Sequence, residues 1–277
     1  MDNVNNKMDI IDNENHIYIY NEDCKITIKD HIKPHSVNII LTSPPYNMGN
    51  IVYKGSVKYY KNYSDNLSSD EYVNWITNTF NDCDNILADD GVILLNINYS
   101  SNSPKELINI IYNLTNNCVY NILDIISWKK AIAIPNNSLS SLTRSCELIF
   151  VLYKNKIDRK NSIKLNKEIK HKHNNQLYYQ NITNFITTNP QASVSKYNKA
   201  TFPEELVEKL LNIYAYDKNV IVYDPFMGSG TTAKVCKKLG YKCIGSEIDT
   251  EQCKEMYNRL YDVKVTKNNS FINTELF

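Results

Sequence analysis

The sequence predicts an α/β fold: a doubly wound, mostly parallel sheet with a small inserted segment. Three observations carry this reading. Short β-branched runs alternate with helical patterns along the chain, as a parallel sheet requires, because its crossovers carry helices. Residues 219–249 (NVIVYDPFMGSGTTAKVCKKLGYKCIGSEID) parse as strand, glycine-rich turn, helix and strand, a Rossmann-like βαβ opening. At residues 42–47, TSPPYN closes an apolar run with two prolines that leave the backbone little freedom.

Bulk properties narrow the field. The chain has 277 residues, 42% of them hydrophobic, enough for one large α/β domain or two small ones. Net charge is +1, so nucleic-acid affinity would have to come from a local patch. No apolar run approaches the ~20 residues of a membrane helix, so no membrane partner is expected. The start, MDNVNNKMDIIDNEN, is polar and acidic without an apolar signal core, and residues 1–16 are expected to fray. Seven cysteines, none in a CxxC pair or a His–Cys cluster at metal spacing, read as reduced thiols of a soluble intracellular protein without zinc.

Taken in order, IYIY (17–20) and VNIIL (37–41) are short strands. Over 70–91, Tyr72, Trp75, Ile76, Phe80 and Leu87 recur near helical spacing, and Gly91 closes that pattern. GVILLNI reads as a buried strand, and PKELINIIYNLTNN as an amphipathic helix entered at Pro104. NILDIISW and CELIFVLY are two further strands joined by the polar IPNNSLSSLTRS, with Trp128 and Tyr120 read as core. Composition then breaks. Residues 154–172 carry eight Lys/Arg (Lys154, Lys156, Arg159, Lys160, Lys164, Lys167, Lys170 and Lys172) against Asp158 and Glu168, and an Asn-rich stretch follows to 199. Taken alone, that is a solvated surface segment. Regular structure resumes at FPEELVEKLLNIYAY, with Pro203 at a helix start and Leu206, Val207, Leu210, Leu211 and Tyr214 on one face. The organisation is thus a flexible 1–16, a first half over 17–153, the basic segment 154–199, and a second half of the same domain over 200–277.

In DPFMGSGT, Gly228 and Gly230 stand where the backbone must turn sharply and approach a ligand closely. No Gly-Lys-Ser/Thr follows, so this is not a phosphate-binding Walker loop, and only G-x-G of the dinucleotide fingerprint is present. Glu247 ends the next strand, where an acid can accept from a ribose hydroxyl pair. A nucleoside-type cofactor fits.

Together TSPPYN and DPFMGSGT resemble the motifs of the S-adenosylmethionine-dependent DNA amino-methyltransferases, which methylate cytosine N4 or adenine N6. The tetrad precedes the glycine loop, the order of that family's β group. The resemblance runs from about residue 17 to 260. YNEDC (20–24) is similar to the family's acidic turn, with Glu22 where Gly is usual. SWKK and TRSCELIFVLYK match its strand pair, with Cys146 where His is commoner, and KATFPEEL leads into the cofactor half. The resemblance implies a catalytic Ser43, Pro44, Pro45 and Tyr46. It implies S-adenosylmethionine contacts from Asp23, Phe202, Asp224, Pro225, Phe226, Gly228, Ser229, Gly230, Thr231 and Glu247. Backbone N–H groups from Gly228 to Thr231, at a helix N-terminus, suit the ligand's carboxylate, and Asp23 or Asp224 its amino groups. The basic segment occupies the place of the target-recognition region, so its Lys and Arg side chains are expected to contact phosphates of double-stranded DNA. A second copy of the chain and a cognate restriction enzyme are the protein partners this family would bring.

The chemistry explains the two prolines. The target amine is a poor nucleophile because its lone pair is delocalised into the ring, and acceptors aimed at its hydrogens favour a pyramidal geometry. The fixed φ of Pro45 holds the Pro44 carbonyl as one acceptor, Ser43 offers a second, and Tyr46 a face for an extruded base. No Cys follows a Pro, against a carbon-5 cytosine methyltransferase. The Ser-Pro-Pro-Tyr form favours cytosine N4, with adenine N6 as the alternative. A catalytically silent DNA-binding subunit and an RNA or protein amide methyltransferase are less favoured, given the intact motifs, their order and Ser43.

Overall fold

The computed structural model describes residues 7–47, 67–99, 103–116, 120–133, 135, 139, 142–156, 158, 163–174, 176–189 and 203–262. Its main sheet has nine strands, and their order follows from which apolar runs can be buried on both faces. The strands are β1 (Ile10–Asp12), β2 (Ile17–Tyr20), β3 (Val37–Thr42), β4 (Leu87–Ile97), β5 (Tyr120–Lys130), β6 (Cys146–Lys154), β9 (Phe185–Thr188), β10 (Ile221–Asp224) and β11 (Lys242–Ser246). They lie in the order β1-β2-β11-β10-β3-β4-β6-β5-β9. The five from β2 to β4 are mutually parallel; β6 runs antiparallel between β4 and β5, and β1 is an antiparallel edge. A separate hairpin pairs β7 (Ile169–His173) with β8 (Gln176–Tyr179).

Helices cover both faces. On one lie α4 (Glu204–Tyr214), α5 (Thr231–Leu239) and α6 (Thr250–Leu260), packed on Ile39, Leu41, Val92, Leu94 and Val222. On the other lie α1 (Cys24–Asp30), α2 (Ser69–Asp84) and α3 (Pro104–Asn116), packed on Ile40, Ile93, Leu95 and Tyr223. Successive residues of β3 and β4 thus feed opposite cores, as the two-residue period of a strand dictates. Leu206, Val207, Leu210, Leu211 and Tyr214 form the buried face of α4, and Pro203 is its N-cap. Trp128 and Tyr120 are core residues, with the Trp128 indole donating to Thr188 and the Tyr120 hydroxyl to the Phe80 carbonyl. No helix among the described residues is long and apolar enough to cross a membrane.

Several expectations need correction. The flexible start does not hold over residues 7–16: β1 pairs with β2, and Lys7 Nζ donates to Glu22 at 2.9 Å. An edge strand of three residues, two of them apolar, escapes a periodicity reading. The helical pattern over 70–91 stops early. A capping box between Ser68 and Glu71 starts α2, but the helix ends at Asp84 and Leu87 opens β4 opposite Val37. Leu87 kept helical spacing while belonging to a strand, the ambiguity of short apolar runs. Within 154–199, β9 joins the main sheet beside β5.

Lys154 departs from its expected place on an exposed, DNA-facing surface. Because β6 is antiparallel, its last residue lies at the N-terminal edge of the parallel strands, beside Tyr120. There Lys154 is buried, 3.6 Å from Asp84 and 3.2 Å from the His35 Nδ1. Ile163 and Leu165 pack on the core and Asn166 bonds to the Ile213 and Asn212 carbonyls, which ties the Lys164–Lys167 stretch to the end of α4. Lys156, Lys164, Lys170 and Lys172 are exposed and Lys167 is half-buried, whereas Arg159 and Lys160 lie outside the described residues. Lys154→Ala should therefore lower stability by about 1–3 kcal/mol by stranding a buried carboxylate oxygen. Denaturant melts and salt titrations of DNA binding check this: the melt should shift while the slope of log affinity against log salt stays put.

Candidate active site

At β10 and β3 the strand order reverses, with β11 on one side and β4 on the other. Loops leaving the C-terminal ends of such neighbours diverge and open a crevice. TSPPYN leaves β3 and DPFMG leaves β10, so stretches far apart in sequence meet here. Asp224 joins them: one carboxylate oxygen accepts from Thr42 Oγ1 at 2.7 Å and the Phe226 N–H at 3.0 Å, the other from Thr232 Oγ1 at 2.8 Å. Burial pushes its carboxyl up to about 6, against the opposing pull of these donors.

The crevice holds an open cavity of about 840 Å³, counting the solvent space at its mouth. Its walls are Glu22, Asp23 and Cys24 after β2; Ser246, Glu247 and Ile248 after β11; Pro225, Phe226 and Gly228 after β10; and Ser43 to Tyr46 after β3. Trp75 of α2 and Gln252 of α6 complete it. The Trp75 and Phe226 rings sit 5.3 Å apart, tilted at 59° to one another, and form an apolar corner of the cavity. Glu247 is buried, accepting from the Gly228 N–H at 2.7 Å and the Asp249 N–H at 2.8 Å. Burial raises its carboxyl to about 7, only partly offset by these two donors.

The cofactor set read from the sequence divides. Asp23, Pro225, Phe226, Gly228 and Glu247 line the cavity. Asp224, Ser229, Gly230 and Thr231 do not. Asp224 is consumed by its three donors, and Ser229 and Thr231 turn to Arg259, whose guanidinium donates to the Ser229 carbonyl at 2.6 Å and hydroxyl at 2.8 Å. Gly230 is required by α6: it caps α5 at φ 80°, and a Cβ there would lie 2.2 Å from Met256 Cγ. Phe202 lies outside the described residues.

The tetrad is wired inward. Asn96, the polar residue near the end of β4, donates from Nδ2 to the Leu148 carbonyl at 3.1 Å, which turns its Oδ1 toward the loop. That oxygen accepts from the Ser43 hydroxyl at 3.3 Å and the Tyr46 hydroxyl at 3.1 Å. Tyr46 also reaches Glu147 Oε2 at 3.4 Å, and Glu147 is ion-paired with Lys130. Tyr72 donates to the Pro45 carbonyl at 2.7 Å, whereas the Pro44 carbonyl accepts no hydrogen bond from the described residues. Asn47, at φ 50°, clamps both the N–H and the carbonyl of Leu67 at 2.9 Å. Sequence reasoning missed Asn96, Glu147, Trp75 and Gln252. A lone Asn inside GVILLNI was a legible signal for the first; the others looked like ordinary strand-end or helix residues.

Known proteins share this fold. The profile of the N6/N4 methyltransferase family, described as DNA methylase, matches residues 37–258. The chain belongs to this DNA methylase family. It is an S-adenosylmethionine-dependent DNA amino-methyltransferase. The Type II methyltransferase M2.LlaDCHI of Lactococcus lactis subsp. cremoris is 28% identical over 252 residues, covering 89% of this chain and 90% of that enzyme. Type II methyltransferase M.MwoI of Methanothermobacter wolfeii is 27% identical over 79% of this chain, which spans only 30% of that longer enzyme. Among solved structures, the cytosine-N4-specific PvuII DNA methyltransferase superposes with a TM-score of 0.68 at 17% identity, covering 91% of this chain and 88% of that one. That likeness concerns the fold alone.

In this DNA methylase, Gly230→Ala should cost about 2–4 kcal/mol through the left-handed φ and the Met256 clash. Calorimetric melts of Gly230→Ala alone and with Met256→Ala check it, the second change restoring part of the loss. Cofactor affinity of the folded variant should stay within about threefold, since Gly230 does not face the cavity.

Proposed function

We propose that this chain methylates the N4 amine of a cytosine extruded from double-stranded DNA, with its cofactor in the cavity between the two loops. The observation that carries the reading is that Ser43 and Pro44 line the cavity side by side. The one hydrogen of the Ser43 hydroxyl goes to Tyr46 Oη at 3.2 Å or Asn96 Oδ1 at 3.3 Å, so the hydroxyl oxygen and the Pro44 carbonyl can both accept from an amine. Two acceptors on one amine favour the pyramidal nitrogen whose lone pair can attack. Tyr46, held by Asn96 and Glu147 at its hydroxyl, offers its ring to the base.

The cavity's groups suit S-adenosylmethionine. Glu247 is an acceptor for a ribose diol, and Trp75 with Phe226 suits a flat or thioether-bearing ligand. Bound there, the cofactor supplies an electrophilic methyl on a sulfonium. Asp23, Pro225, Phe226, Gly228 and Glu247 are the candidates to bind it. Cytosine is favoured over adenine because the family's Ser-Pro-Pro-Tyr form is the commoner one in cytosine enzymes, and the PvuII enzyme of similar fold is cytosine-N4-specific. The exposed Lys170 and Lys172 of the β7–β8 hairpin, with Lys156, are candidates for phosphate contacts. The relatives' Type II designation supports a cognate restriction enzyme as partner.

Digesting methylated DNA to nucleosides for mass spectrometry should yield N4-methylcytosine; N6-methyladenine alone would overturn the base assignment. In single turnover, Tyr46→Ala should lose about one to three powers of ten, and Ser43→Ala somewhat less, with cofactor binding intact.

A second outcome concerns pH. With Glu247 raised to about 7, part of the free protein carries that proton at neutrality. A diol donates to the ionised form, so cofactor affinity should rise with pH to about 7 and level off above it, falling by up to about tenfold per unit below. In the free protein the sign reverses. Ionising this buried acid opposes folding, so its contribution to stability is lost as pH climbs from its ordinary 4.5 through about 7. Calorimetric titration with S-adenosylhomocysteine across pH 5.5 to 8.5 checks the affinity trend, and a flat profile would remove Glu247 from the site.

A further inference from the structure

Gln252 sits in the first turn of α6, where the Asp249 cap accepts from the Glu251 and Gln252 N–H groups. Its side chain is 1% exposed and lines the cavity, yet neither Nε2 nor Oε1 has a hydrogen-bond partner among the described residues. Buried polar neighbours behave otherwise. Asn21 donates to the Glu247 carbonyl and accepts from Thr250, Ser246 pairs with Tyr223, and Glu22 accepts from Thr27 and Lys7. The other buried oxygen lacking a hydrogen bond, on Asp84, faces Lys154 in an ion pair. A carboxamide stranded at both ends is costly to a folded protein. A cost placed on a cavity wall points to a ligand that removes it.

The chemistry of that ligand follows from what the wall already offers. Glu247 can only accept when ionised. A vicinal diol that gives its hydrogens to a carboxylate keeps oxygen lone pairs that need a donor. Gln252 presents a donor and an acceptor side by side, and it stands one turn before Met256, which packs at Gly230 behind the same loop. Cys253, its neighbour, points its thiol at the Glu247 carbonyl at 3.8 Å.

We propose that Gln252 is a cofactor-binding residue whose carboxamide clamps the ribose diol together with Glu247. This rests on the reading of the cavity as the cofactor site. S-adenosylhomocysteine and its 2′-deoxyribose analogue, titrated by calorimetry into wild type and Gln252→Met, separate the two claims. Wild type should bind the first probe, and Gln252→Met should bind it about tenfold more weakly. The penalty for removing the 2′-hydroxyl should shrink in the variant, because the two changes delete the same contact. The ligand-free melting temperature of Gln252→Met should hold or rise, since an unpaired amide has been replaced by an apolar chain of like volume. A variant that melts lower and binds S-adenosylhomocysteine as wild type does would make Gln252 a structural residue and overturn the proposal. Equal weakening toward both probes would remove the diol as its partner. Failure of wild type to bind the probe would sink the cofactor reading itself.

Discussion

The Asp224 carboxylate is the constraint on which the site depends. It sits at the end of β10, buried, and gathers Thr42, Thr232 and the Phe226 N–H around it. Taking a carboxylate out of water opposes folding and pushes its carboxyl up, and the three donors offset that only in part. In exchange the geometry is over-determined. Thr42 opens TSPPYN and Thr232 lies in the helix after the glycine loop, so one acid registers the proline loop against the glycine loop. Displacing either loop would remove a donor from a buried carboxylate.

The antiparallel strand β6 has a complementary effect. Its start lies beside the ends of β4 and β5, which puts Glu147 near Asn96 and Tyr46. Its end lies at the opposite edge, which is why Lys154 serves the scaffold. Had β6 been parallel, Glu147 would stand on the far side of the sheet from the tetrad. One strand direction thus decides that the tyrosine hydroxyl meets a carboxylate paired with Lys130.

What the sequence made legible was what local chemistry dictates. The strands VNIIL and IYIY, the apolar face of α4, and the βαβ unit over 219–249 all depend on short-range pattern, and all are present. The tetrad and Glu247 could be placed at strand ends because proline, glycine and acid are conspicuous there, and they line the cavity. The misreadings came from tertiary context. Asp224 and Gly230 carry the right residue types for ligand contact but face Thr42 and Met256 instead. Lys154 is one of eight basic residues in a run, and only strand direction shows that it is buried. Asn96 and Gln252 give no periodic signal, since a buried polar residue declares itself through its neighbours.

Asn47 carries a separate implication. Its amide holds Leu67 by two hydrogen bonds, so the chain that leaves the TSPPYN turn is tied off twenty residues later. Such a tie decouples the turn from the length of what it encloses. Closure entropy grows only logarithmically, so doubling the enclosed chain would cost about 0.6 kcal/mol. Evolution can therefore lengthen, shorten or replace that stretch while the tetrad keeps its shape, and a new DNA-contacting loop could be grafted between Asn47 and Leu67 without redesigning the chemistry beneath it.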